Sequence, residues 1–223
     1  MTHLVDSLFG SDSEEEQEGS NEVPPECYPC CRGVEQIPGL YIWKGWLTGE
    51  EQVDCRVVQD FLLDGIARAG WLAHGNQAMH FGADLPWFLQ DVLQKFPASL
   101  LPSEVASRRP LFNQMILNRY NPGDGIRPHV DLMRFEDGIA VISLGDSAVM
   151  HFSQPEKNPG QSVQVLLEGG DLLVLGGSAR WDWHHEIKSV FEEIFNEKRI
   201  VRGVRTSITL RRLKEGIILT EAA

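Results

Sequence analysis

The sequence predicts a mostly β fold with flanking helices, α+β in class, whose antiparallel strands form a double-stranded β-helix, or jelly roll. Three observations predict it. From residue 113 onward, short apolar runs (MILNRY, IRPHVDL, GIAVISLG, SAVMHF, SVQVLLE, DLLVLGG and RTSITLRRL) alternate with clusters of Gly, Pro, Asn and Asp, as short strands joined by tight turns do. No long helical period interrupts those runs. Ahead of them, two helical patterns between residues 48 and 97 fit helices laid on one face of a sheet.

The chain divides into an acidic tail (residues 1–35) that reads as disordered, one domain (36–215) and a short C-terminal tail (216–223). Of the 32 acids, eight fall in residues 1–26, which hold no Lys or Arg, so 24 acids face 20 bases in the remainder and the body carries about −4 of the formal −12. That balance argues weakly against a nucleic-acid partner without excluding one. Leu4, Val5, Leu8 and Phe9 sit at helical spacing beside the acids, which fits either a docking helix for a protein partner or a frayed terminus. No apolar run is long enough to cross a bilayer and the start lacks a signal-peptide pattern, so the expected compartment is cytoplasm or nucleus, with no membrane association. Cys27, Cys30 and Cys31 form a Cys-x-x-Cys-Cys cluster, and Cys55 is the fourth cysteine. A structural zinc needs four ligands and no second pair follows, so reduced thiols and a zinc site at Cys27, Cys30 and Cys31 both stay open.

The elements follow in order. LYIWKGW after Pro38-Gly39 reads as a first strand. Thr48 and Glu51 form a capping box, after which Val53, Val57, Phe61, Leu62 and Ile66 recur with helical period until Gly70. A second helix is expected from Asp84, with Pro86 in its first turn and Trp87, Leu89, Val92, Leu93 and Phe96 as its apolar positions, ending before Pro97. The strands follow, with KSVFEEIFNEKRIVRG as a polar connection before the last one.

Three stretches carry chemistry. In RPHVD, a strand would turn His129 and Asp131 to one face and Val130 to the other, giving two of the three ligands of a non-haem iron centre or a hydrogen-bonded polar pair. In RWDWHHEI, His184 and His185 are adjacent and face opposite ways on an extended segment, so one of them can supply the third ligand, or both are incidental to an aromatic-rich loop. In RTSITLRR, Arg205, Ser207, Thr209 and Arg211 share one face. Inside a barrel the two arginines need an anion, and a dicarboxylate suits them if their side chains converge over roughly 20 Å of strand; an exposed basic edge strand is the alternative.

Taken together, Asn118-x-Tyr120, the turn NPGDG, His129-x-Asp131, a distal His, Arg205 and Arg211 resemble the AlkB family of iron(II) and 2-oxoglutarate dependent dioxygenases over roughly residues 36–213. NRYNPGDGIRPHVD and FEDGIAVISLGDSAVMHF look most like the branch that hydroxylates the modified wobble uridine of transfer RNA. The resemblance implies that His129, Asp131 and His185 bind Fe(II), with Arg180 fixing the register that selects His185 over His184. It implies that Arg205 binds the distal carboxylate of 2-oxoglutarate and that Asn118, Tyr120 and Arg211 make its other contacts. It also places NQAMHFG (76–82) as a substrate lid in which Met79, His80 and Phe81 face a base. The implied activity is hydroxylation or oxidative demethylation of a modified nucleobase, with RNA (tRNA) favoured as partner. An oxygenase acting on protein or a small molecule and a non-catalytic binding protein are the competing readings.

Overall fold

The apolar runs after residue 113 close into two facing sheets. A computed structural model describes residues 31–52, 71–74, 76–82 and 84–217. Its strands are β1 (Cys31–Gly33), β2 (Leu40–Trp43), β3 (Trp71–His74), β4 (Gln77–Phe81), β5 (Gln114–Tyr120), β6 (Ile126–His129) and β7 (Ile139–Gly145). They continue with β8 (Ala148–Ser153), β9 (Val163–Leu167), β10 (Leu172–Leu175), β11 (His184–Ile187), β12 (Glu192–Phe195), β13 (Lys198–Val201) and β14 (Arg205–Arg211). Eight form a large sheet in the order β1-β2-β10-β7-β14-β5-β4-β3, and four form a small one, β6-β11-β8-β9. All their pairings are antiparallel. This is the double-stranded β-helix that the turn-punctuated runs predict.

Alternation along each strand divides the core. Met115, Leu117, Ile142, Leu144, Ile208 and Leu210 face a helical layer that contributes Phe88, Leu89, Val92 and Phe96. Their neighbours Ile139, Val141 and Leu173 face inward and meet Met150, Phe152 and Ile187 of the small sheet. Burial of each large side chain contributes about 2 kcal/mol, so both layers hold the large sheet flat against its partners. On β14 the inward positions are polar, and that interruption opens the site.

The local readings fare unevenly. The capping box forms, with Glu51 N–H donating to Thr48 Oγ1 at 3.3 Å and Thr48 N–H to Glu51 Oε2 at 2.7 Å, and helix runs from 49 to 52. Its apolar positions from Val53 to Gly70 lie outside the described residues. The second helix is shorter than expected: a 3-10 turn at Trp87–Leu89 leads into a helix at Gln90–Gln94. A 3-10 turn places i and i+3 on one face, so Phe88 follows Leu85 into the core and Trp87 stays 75% exposed. KSVFEEIFNEKRIVRG is no plain connection but the hairpin β12–β13. Asn196 and Glu197 turn it with φ of 47° and 65°, the conformation that two-residue hairpin loops require. At the front, β1 begins at Cys31, ahead of residue 36, and pairs with β2 from Cys31↔Trp43 to Gly33↔Tyr41. Cys31 is a half-buried free thiol, while Leu4, Val5, Leu8, Phe9, Cys27, Cys30, Cys55 and residues 218–223 lie outside the described residues.

One glycine decides how the small sheet meets the site. At Gly125, where the NPGDG turn enters β6, a Cβ would run into the carbonyl oxygen of Ile187 and the amide of Ser189. Only glycine lets the turn lie this close to β11. The resulting register sets His129 opposite His185.

Candidate metal and dicarboxylate site

β6 ends at His129, two residues short of the strand that alternation through Asp131 needs. Asp131 therefore reaches the site from the loop that follows, and two buried arginines hold it there. Arg180, 1% exposed, donates to the carbonyls of Asp131 (3.1 Å), Leu132 (3.0 Å) and Phe135 (3.1 Å). Arg211 Nη1 pairs with Asp131 Oδ1 at 2.7 Å while its Nε donates to Gln114 Oε1 at 2.7 Å. The carboxylate points at His185, with Oδ2 3.6 Å from Nε2. Ligand atoms of His129, Asp131 and His185 all lie within 4.8 Å of one another, the one such group among the described residues.

Protonation suits these three to a cation. His129 Nδ1 lies 2.8 Å from the Arg127 carbonyl, which can only accept, so Nδ1 donates there and Nε2 is the nitrogen left to face the cluster. Burial pushes the His185 imidazole down to about 4, with Asp131 opposing, so it is neutral near pH 7. Burial alone would raise the Asp131 carboxyl, but Arg211, His185 and His129 together outweigh it and hold it below the ordinary carboxylate range. Two imidazoles and one carboxylate on one side of a point are the donor set of a non-haem Fe(II) centre. His184 points the other way, into a separate cleft with Trp181, Gln154 and Lys157.

An anion site stands beside the cluster. Arg205 is completely buried and its Nη2 donates to Ser143 Oγ at 2.8 Å, but its Nε and Nη1 have no partner. Burial pushes the guanidinium down to about 10, which still leaves it charged. A buried cation with two open donors is costly unless an anion fills it, and a carboxylate matches the fork. The residues thus fit both an Fe(II) ion and the far carboxylate of 2-oxoglutarate. Arg211 gives two of its donors to Asp131 and Gln114, which braces the Asp131 carboxylate beside the cavity that Arg211 also lines.

His129, Asp131, His185, Arg205 and Arg211 line one cavity of about 380 Å³, with Asn118 and Tyr120 on its β5 wall. Asn118 accepts from Gln77 Nε2 at 2.7 Å. Burial raises the Tyr120 phenol, against the opposing pull of Arg205, so it stays protonated. The 76–82 stretch holds β4, hydrogen-bonded to both β3 and β5. Its alternation sends Met79 into the cavity with Gln77 and turns His80 to the other face beside Met115, while Phe81, on the Met79 face at the strand end, lies beyond the lining. Sequence reasoning missed Ser143 and Gln114, the partners of Arg205 and Arg211. The signal for Ser143 was present: it is the polar residue in GIAVISLG that shares the inward face of Ile139 and Val141.

Residues 82–211 match a family model described as 2OG-Fe(II) oxygenase superfamily. The chain is 43% identical over 97 residues to a Bos taurus protein named alpha-ketoglutarate-dependent dioxygenase alkB homolog 7, mitochondrial, which covers 43% of each. It is 33% identical over 147 residues to a Mus musculus protein named tRNA (carboxymethyluridine(34)-5-O)-methyltransferase ALKBH8, covering 58% of this chain and 21% of that one. The chain thus spans less than half the length of either relative. A solved structure of OsALKBH1 superposes with a TM-score of 0.57 at 18% identity, covering 82% of this chain and 99% of that one, a likeness of fold.

Proposed function

The chain belongs to the 2OG-Fe(II) oxygenase superfamily, on its AlkB side, and from that premise we propose that it is a dioxygenase that hydroxylates or demethylates a modified nucleobase, in RNA and most specifically in transfer RNA. One observation carries the oxygenase reading: the His129, Asp131 and His185 cluster shares a cavity with a buried arginine whose Nε and Nη1 lack a partner. When bound, Fe(II) and 2-oxoglutarate would supply the activation of molecular oxygen, the oxidant, one atom of which leaves in succinate alongside carbon dioxide while the other is available to the substrate C–H bond.

The chain's own groups do the rest. His129 and His185 offer imidazole nitrogens, His185 as the neutral ring, and Arg211 keeps Asp131 ionised and aimed between them. Arg205 takes the carboxylate far from the metal ligands, with Ser143 fixing its orientation. Tyr120, protonated, and Asn118 offer polar contacts on the same wall. Met79, Ile116, Val141 and Met150 make the lining largely apolar, which favours a planar base and excludes bulk water from the reacting C–H bond.

The RNA reading draws support from the likeness to the mouse protein, whose name describes an activity on tRNA. A protein or small-molecule substrate is the second reading, favoured by a body charge of about −4. The test is nucleoside mass spectrometry on transfer RNA, messenger RNA and DNA, each incubated with the protein, Fe(II), ascorbate and 2-oxoglutarate, with His129→Ala as control and succinate followed in the same tubes. A nucleoside that gains oxygen or loses a methyl group only with the intact chain supports the reading. Succinate without nucleoside change sends the search to proteins and small molecules. No helix among the described residues is long and apolar enough to cross a membrane. The bovine relative is named as mitochondrial, so a fluorescent fusion would separate that compartment from the cytoplasm or nucleus proposed here.

A further inference from the structure

The loop behind Asp131 has a rigid backbone and exposed side chains. Arg180 binds the carbonyls of Asp131, Leu132 and Phe135, and Lys214 N–H binds that of Arg134 at 2.9 Å, so four of five consecutive carbonyls are pinned. Leu132 and Met133 are nevertheless 56% and 65% exposed, and Arg134 is exposed as well. Leu132 and Arg134 line the cavity. Such a loop fixes the backbone from which Leu132 and Arg134 reach the cavity, with Met133 exposed between them.

Among the described residues the Arg134 cation has no ion-pair partner. The charged side chains lining the cavity, besides the two histidines, are Asp131, Arg134, Arg205 and Arg211. Arg211 is matched by Asp131 at 2.7 Å, and Arg205 has open donors for one end of a dicarboxylate whose other end would offset a divalent ion. Arg134 makes no ion pair among the described residues, and its one ring contact is with Phe135, at 5.2 Å from the centroid. It also lies close enough to Arg211 to work against that group's charge. Two guanidiniums facing one cavity repel each other, and an anion arriving with the substrate relieves both.

We propose that Arg134 receives a backbone phosphate beside the target nucleotide, while Leu132 and Met133 form an apolar shoulder against its base. This rests on the nucleobase reading. A phosphodiester keeps its oxygens at the mouth when the base turns inward, and the planar guanidinium grips two of them. The acidic body repels a polyanion overall, so affinity depends on a few local contacts, and losing one of them is visible.

The test measures anisotropy of a fluorescein-labelled, 15-nucleotide single-stranded RNA of mixed sequence with the full chain, Fe(II) and 2-oxoglutarate under nitrogen, across a salt series. Arg134→Gln is expected to weaken binding roughly threefold at low salt and to reduce the log–log salt slope by about 0.7, one phosphate contact on a single strand. Arg134→Lys is expected to keep the slope, and Arg134→Glu to weaken binding further than Gln. Since the side chain is exposed and joins no acid, all three should melt with the wild type. A wild-type slope in Arg134→Gln, beside normal RNA binding by the parent, overturns the phosphate contact and leaves the nucleobase reading standing. Salt-independent or absent binding by the parent chain overturns both.

Discussion

Asp131 and Arg205 answer to opposite electrostatic demands, and each makes a distinct prediction. Asp131 is an anion enclosed by one arginine and two imidazoles. Removing it as Asp131→Ala deletes a metal ligand and strands Arg211, which is 8% exposed, beside a void. Turnover of 2-oxoglutarate should disappear, and urea melts should show a loss of about 3 kcal/mol, because one partner of a buried pair is left charged. A fully active Asp131→Ala protein would refute the ligand set. Arg205 is the reverse case, a cation awaiting its partner. Arg205→Ala should raise the 2-oxoglutarate concentration needed for half-maximal succinate release by roughly 10- to 100-fold, since two charge-assisted hydrogen bonds are lost. The two histidines make a third pair: His185→Ala should abolish Fe(II) binding in equilibrium dialysis, whereas His184→Ala, facing the Trp181 cleft, should retain it. The side-chain parity behind these expectations was legible in RTSITLRR and HHEI, since a period of two needs no tertiary knowledge. The pairings were not: the inward parity of Ser143 was visible, but which arginine Ser143 and Gln114 meet depends on β7 and β5, more than 60 residues away in sequence.

Elements were readable where local chemistry alone determines them. The Thr48–Glu51 box is complete within four residues, and its hydrogen bonds form as the sequence implies. β12–β13 escaped notice because Asn196-Glu197 lacks the glycine that usually announces a tight hairpin, and because Phe191, Ile194 and Val201 lie among charges on an exposed face. The end of β6 was likewise hidden. What carries Asp131 inward is Arg180, which arrives from the short helix Ser178–Trp181 and is 1% exposed. At this scale Gly125 is the sensitive position. Gly125→Ala must displace either the turn or the Ile187 carbonyl, and either shift pulls β6 from β11 where His129 faces His185. Fe(II) affinity should fall at least about tenfold even in protein that remains folded by circular dichroism, comparable to loss of a group that orients a ligand. Unchanged affinity would mean that the strand pair tolerates the displacement and that the glycine serves the turn alone.

Across the whole molecule, two demands conflict between the sheets. The inward face must bury Ile139, Val141, Met150 and Phe152 to join the layers, yet the same space holds Asp131, Arg205, Arg211 and two histidines. Val141 and Met150 share the cavity lining with the polar groups, and those groups are incompletely satisfied: Arg205 Nε and Nη1 and His185 Nδ1 are buried without hydrogen-bond partners. Ligands that fill such a site bind the folded chain and not the unfolded one, so they should raise its stability by mass action. At a hundred times the dissociation constant the gain is about 2.7 kcal/mol, which for a chain of this size corresponds to a melting shift of roughly 5–10 °C. Scanning fluorimetry should therefore show an upward shift with Mn(II), a redox-stable substitute for Fe(II), and a further one with 2-oxoglutarate. The two increments should separate by residue. His129→Ala should lose the metal increment and, with it, the dependence of 2-oxoglutarate on metal, while Arg205→Ala should keep the metal increment and lose most of the second. If 2-oxoglutarate stabilised Arg205→Ala as well as the parent, the buried guanidinium would be structural and the dicarboxylate would have to bind elsewhere in the cavity.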